Sequence, residues 1–106
     1  MTLKIILSTY PDLKSAEYAV STIIKEKRLA ACANLVKIDS RYIWKNQFEE
    51  SEEYLVFFKT TKDKIDELKE EVENQHPYDV PEIIEIPVLD VNSKYLNWLN
   101  TVIHDH

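Results

Sequence analysis

The sequence predicts an α+β sandwich of ferredoxin-like βαββαβ order with an extra C-terminal helix. Three observations carry this expectation. Residues 2–9, 29–45, 48–60 and 82–91 are rich in Ile, Val, Leu, Tyr, Phe and Trp, as strands are. The segments joining the first stretch to the second, and the third to the fourth, repeat apolar residues at helical spacing. Breakers stand at the junctions: Pro11, Asn46, Pro77 and Pro81.

The first strand, TLKIILST, ends at Tyr10-Pro11-Asp12, where Asp12 or Ser15 can cap the following helix. That helix spans residues 14–27, with Ala16, Val20, Ile23 and Ile24 on its apolar stripe. Residues 29–45 (LAACANLVKIDSRYIWK) and 48–60 (FEESEEYLVFFKT) form a hairpin turning at Asn46, a residue that tolerates positive φ. Thr60-Thr61-Lys62-Asp63 resembles a capping box, and Ile65, Leu68 and Val72 follow at i, i+3 and i+7. Pro77 stops this second helix, because the residue before a proline avoids the α region. EIIEIPVLDV is a further strand, placed at an edge by Pro87, which has no N–H for a ladder. Asn92 or Ser93 then caps a last helix carrying Tyr95, Leu96, Trp98, Leu99 and Val102.

The 106 residues predict a single domain, 1–106, with a net charge of −6 and no Gly-rich phosphate loop, since the chain contains no glycine. The negative charge argues against a nucleic-acid partner. The N-terminal apolar run is too short to cross a membrane, and a single cysteine, Cys32, suits a reducing, cytoplasmic setting. Positions needing positive φ fall to Asn or Asp when glycine is absent.

Two features ask for a partner. Tyr54, Val56 and Phe58 alternate with Leu55 and Phe57, and Ile84, Ile86 and Val88 with Ile83 and Leu89, so both sheet faces are apolar although two helices cover only one. Strands as long as the hairpin's reach on the order of 45–50 Å, well beyond a compact domain with a radius of gyration of about 13 Å. A symmetric homo-oligomer answers both. An RNA-recognition sheet shares the element order, but strand three opens with EESEE where that fold needs aromatic and basic residues.

RLAACANL at 28–35, SRYIWKN at 40–46, FKTT at 58–61, HPYDVPEII at 76–84 and YLNWL at 95–99 together resemble the CutA family of divalent-cation tolerance proteins. The resemblance implies a tight homotrimer related in architecture to PII signalling proteins and a link to copper tolerance and divalent-metal binding; no firm enzyme activity follows from it, and none is expected. Family members credited with a copper site carry a cysteine after strand one and a His-His pair before Pro-Tyr. Here those places hold Ser8 and Gln75-His76, so of that set only His76 carries over.

The candidate metal ligands are His76, Asp79 and Cys32, donors suited to Cu(II) or Zn(II). His76 also has a structural reading, closing a helix C-terminus. Cys32 has one as a small buried apolar group. Lys59, Tyr78 and Glu82 are candidates for an intersubunit cleft holding a small anion or a partner protein, as in a PII-like signalling trimer; alternatively Lys59 is an ion-pair partner. Tyr42, Trp44, Tyr95 and Trp98 are expected at interfaces. Glu49, Glu50, Glu52 and Glu53 form a solvated strand end. No nucleophile–base or paired-carboxylate motif supports catalysis.

Overall fold

The computed structural model describes residues 2–105. Strand β1 (Leu3–Tyr10) is followed by α1 (Leu13–Val20), whose helix continues over Ser21–Glu26 with wider, π-helical turns. Strands β2 (Cys32–Trp44) and β3 (Gln47–Thr61) form the hairpin. A 3₁₀ turn (Lys62–Lys64) leads into α2 (Ile65–Gln75), then β4 (Ile83–Ile86) and α3 (Ser93–His104). The sheet order is β2-β3-β1-β4, antiparallel throughout. This is the ferredoxin-like arrangement with a helix added.

Register divides the sheet into two faces. Ile6 pairs with Phe58 and Ser8 with Val56, and these side chains bury against α1 and α2. Ala16, Ala19 and Ile23 from the first helix, and Ile65, Leu68 and Val72 from the second, complete a core closed by Tyr10. The alanines let α1 approach the sheet closely. On the opposite face Ile5 pairs with Lys59 and Ile86, and Leu7 with Phe57 and Ile84. Helix α3 covers one end of that face, where Leu99 and Ile103 pack on Leu3, Ala31 and Ile5. Helix α3, expected from the sequence to carry the interface aromatics Tyr95 and Trp98, also closes part of the second face. The remainder stays partly open: Leu7, Leu55 and Phe57 are half-buried, while Val36 and Ile84 are exposed.

The hairpin extends well past the helices. The molecule measures 46 × 28 × 21 Å, and Ile43 and Phe48 near the tip are 66% and 64% exposed, so the hairpin end lacks cover within this chain.

Several local expectations shift. The second strand begins at Cys32 rather than 29, because Leu29, Ala30 and Ala31 form a buried connection held by Thr60 Oγ1 donating to the Leu29 carbonyl at 2.7 Å. The fourth strand covers only Ile83–Ile86, since Pro87 cannot extend the ladder. Asp12 does cap α1, accepting from Ser15 N–H at 2.8 Å. The capping box from Thr60 to Asp63 does not form: the Thr60 hydroxyl is committed to the Leu29 carbonyl, and the Thr61 hydroxyl donates to Asp63 Oδ1 at 2.6 Å. Asn92 precedes α3 in an extended conformation without a side-chain cap.

Positive φ falls at Arg28 (52°), Lys45 (50°) and Asn46 (64°), so two of the three positions are not the Asn or Asp expected. Lys45-Asn46 is a two-residue turn needing positive φ at both places, which suits the right-handed twist of the strands. Arg28 follows the helix where glycine is usual. Its Nη1 donates to the Val102 carbonyl at 3.0 Å, in the last turn of α3. The Arg28 backbone thus ends its own helix while its side chain caps another.

Candidate functional site

The segment after α2 is built around His76. Its ring stacks on Tyr10 with centroids 4.4 Å apart and lies 5.1 Å from the Tyr78 ring. Nε2 donates to the Thr9 carbonyl at 2.9 Å, and Nδ1 accepts from the Tyr78 N–H at 3.2 Å. Both ring nitrogens are therefore used, in a neutral imidazole. Burial lowers its pKa, opposed by the Thr9 bond and by the Glu53 charge. The ring ties the end of β1 to the loop leaving α2. Gln75 adds to the tie by donating to the Tyr10 hydroxyl at 3.0 Å.

Locking that loop aims Tyr78 across the sheet. Its hydroxyl donates to Glu53 Oε2 at 2.6 Å, and burial, then the carboxylate, raises the phenol pKa far above its usual value. Glu53 is only 7% exposed, unlike Glu49, Glu50 and Glu52 around it. Beside this pair lies a groove of about 610 Å³ lined by Thr9, Tyr42, Trp44, Tyr78, Asp79 and Glu82, among others. Arg41 also lines it but pairs with Glu50 across the hairpin, Nε to Oε1 at 3.2 Å.

A second cluster lies toward the other end of β1. Cys32 pairs in register with Lys59, and Lys59 with Ile5. The Lys59 ammonium sits 5.7 Å from the centre of the Tyr95 ring, and Tyr95 packs on Trp98 at 5.4 Å. Burial, and then the Cys32 thiol, hold the Tyr95 phenol up at about 12.

A CutA1 family model, described as the CutA1 divalent ion tolerance protein, matches residues 4–102. The chain belongs to the CutA1 family. The divalent-cation tolerance protein CutA of Pyrococcus horikoshii is 50% identical over 95 residues, covering 90% of this chain and 92% of that protein. The crystal structure of CutA1 from Pyrococcus horikoshii superposes with a TM-score of 0.90 at 45% identity, covering 93% of this chain and 96% of that one. The structure of the periplasmic divalent cation tolerance protein CutA from Archaeoglobus fulgidus gives 0.91 at 30% identity, covering 96% and 99%. These relatives are named for cation tolerance and not for a catalysed reaction.

Within one chain, the candidate residues fall into two separate places. Thr9, which receives His76, lies four residues along β1 from Ile5, roughly 13 Å at strand spacing. His76 and Asp79 are therefore on one side, and Cys32 is with Lys59 on the other. Tyr78 and Glu82 share the groove, while Lys59 belongs to the Tyr95 cluster. Among the described residues no group of three or more His, Cys, Asp or Glu side chains is placed to hold a metal ion. The described residues of one chain assemble no such ligand set by themselves. Among the aromatic residues expected at interfaces, Tyr42, Trp44 and Trp98 are 42%, 44% and 46% exposed, large areas for rings of this size.

Glu53 is the site residue that the sequence reading missed, having grouped it with solvated glutamates. The available signal is parity: Glu53, Leu55, Phe57 and Lys59 share one face, whereas Glu52 points with Tyr54.

Proposed function

We propose that the chain is a homotrimeric CutA-family protein that binds divalent cations, copper or zinc among them, and contributes to metal tolerance without catalysing a reaction. Ligation uses donors from more than one chain. The observation behind this is the combination of a half-covered apolar sheet face with a hairpin that overreaches its own helices. Neighbouring copies would cover both. The lack of a three-donor cluster among the described residues of one chain points the same way, since chains meeting near His76 and Asp79 can pool single donors. Ligation by His76 goes with release of the Tyr78 N–H from Nδ1, or of the Thr9 carbonyl from Nε2.

Sedimentation equilibrium at micromolar concentration tests the assembly, and a stable monomer would overturn it. Calorimetric titration of Cu(II) and Zn(II) into the wild type, His76→Ala and Asp79→Asn tests the ligands. Equal affinities for all three proteins would remove both residues from cation binding. A reducing cytoplasm suits a chain with a single thiol. Because one relative is named as periplasmic, cell fractionation is the direct check.

A further inference from the structure

The last turn of α3 is tied to two other parts of the chain. Arg28, in the bend after the first helix, donates to the Val102 carbonyl at 3.0 Å. His104 reaches the 3₁₀ turn before α2, where its Nε2 lies 2.7 Å from Asp63 Oδ2. Asn92, at the other end of α3, makes no side-chain cap.

The His104 ring fills its place in one protonation state only. Nδ1 stands 3.1 Å from the Asn100 carbonyl, one turn back in α3, while Nε2 faces the carboxylate. Both neighbours are acceptors, and a neutral imidazole has a single N–H to donate. The imidazolium satisfies both; losing its proton sets a nitrogen lone pair against an acceptor oxygen. Asp63 is kept as the anion: bonds from the Thr61 hydroxyl (2.6 Å) and then from His104 hold its pKa below the usual value. The helix ends suit these charges, with a cation on the last turn of α3 and an anion at the turn entering α2. The other charges near the ring are Lys64 of the same 3₁₀ turn, which opposes the imidazolium, Arg28 at Val102, and Asp105 next in sequence. The Asp63 bond outweighs burial and Lys64, so the His104 pKa stands above its ordinary value.

We propose that His104 and Asp63 form a proton-operated clasp that fastens the last turn of α3 to the turn entering α2 and lets it go when the ring is neutral. The clasp is shut in mild acid and opens as pH rises through the titration of His104. It governs the cover over Leu3, Ala31 and Ile5, on which Leu99 and Ile103 of the same helix pack. Arg28 has no proton to lose in this range and keeps α3 attached when the clasp is open, so the response is local loosening rather than unfolding. Every part of the device belongs to one chain, which makes it independent of assembly and of cation binding.

The test is amide hydrogen exchange of the intact protein from about pH 6 to about pH 9, each rate divided by the intrinsic rate at that pH. Long-range ¹H–¹⁵N spectra follow the His104 ring alongside. Protection at the Asp105 N–H, bonded to the Thr101 carbonyl, should fall about two- to fivefold across the range, while Leu68 and Val72 in α2 stay unchanged. Both ring nitrogens should carry protons at the acid end and only one at the alkaline end. His104→Gln should bring protection at acid pH down to the alkaline value and abolish the pH response. Asp63→Asn should lower the midpoint of the ring titration. Protection at Asp105 that does not vary with pH overturns the proposal. A full pH response in His104→Gln does the same by assigning it to another group, as does an unshifted ring midpoint in Asp63→Asn.

Discussion

Arg28 gives the sharpest test of the physical reasoning, because two opposing effects meet in one residue. Its backbone sits at φ 52°, which costs a residue bearing a Cβ about 1–2 kcal/mol relative to glycine. Its guanidinium donates to the Val102 carbonyl at 3.0 Å, in the last turn of α3 where a positive charge is also favoured by the helix dipole. A part-buried bond to a charged donor contributes about 1.5–3 kcal/mol. Arg28→Ala removes the bond and keeps the backbone strain, so it should cost about 2 kcal/mol. Arg28→Gly removes both. Glycine's extra freedom in the unfolded chain takes back about 0.4–1 kcal/mol of the relief. The glycine variant should therefore be about 0.5–1 kcal/mol more stable than the alanine variant, and still less stable than wild type. Urea unfolding of the three proteins at one chain concentration measures this ordering. An alanine variant equal to or more stable than the glycine variant would refute the strain argument. A glycine variant more stable than wild type would refute the value placed on the bond to α3.

The two described histidines should titrate in opposite directions, with His104 above the usual value of about 6.5 and His76 below it, as imidazole NMR signals would show. His104 is raised by its bond to Asp63 (2.7 Å), so the small stability this surface pair adds is complete below about pH 6.5 and fades as pH rises through the higher folded value. His76 acts with the other sign: as pH falls below about 6.5, the unfolded chain takes up a proton that the folded ring refuses, and stability declines; His76→Gln should flatten that acid limb in unfolding measured from pH 7 to 5. Tyr78→Phe leaves the buried Glu53 without its hydrogen bond and should cost about 2 kcal/mol in urea unfolding, while Tyr42→Phe, at an exposed hydroxyl, should cost far less. Leu99→Ala empties a fully buried position beneath α3 and should cost about 3–5 kcal/mol, with faster amide exchange in α3 than in α2.

The fold was largely legible because periodicity is a property of single segments. Ala16, Ile23, Leu68 and Val72 announce helix faces, and Val56 and Phe58 a strand face, without knowledge of their partners. Element ends were less legible where the deciding contact is distant in sequence. Leu29 leaves the strand because Thr60 claims its carbonyl, and positive φ at Arg28 is tied to α3 seventy-four residues on. The site suffered most from this. His76 reads as a free ligand in HPYD, yet Thr9 and Tyr78 occupy both its nitrogens. Glu53 reads as one of a solvated run until Tyr78 folds over it. Separating Cys32 from His76 required the strand register, which no local pattern encodes.

The sheet order also bears on how the chain folds as it is synthesised. Strands β2 and β3 are neighbours in sequence, so their hairpin can form as soon as Thr61 is available. Strand β1 is made first but lies between β3 and β4, and one edge of its backbone stays unpaired until Ile86 arrives. Helix α3 comes later still, so Leu3 and Ile5 wait uncovered until residues 93–104 have been made. The interval between the hairpin and the last helix is when a nascent chain is most exposed to strand addition from a neighbour. Slowing synthesis between Thr61 and Ser93 would lengthen that interval and raise the yield of aggregated chains.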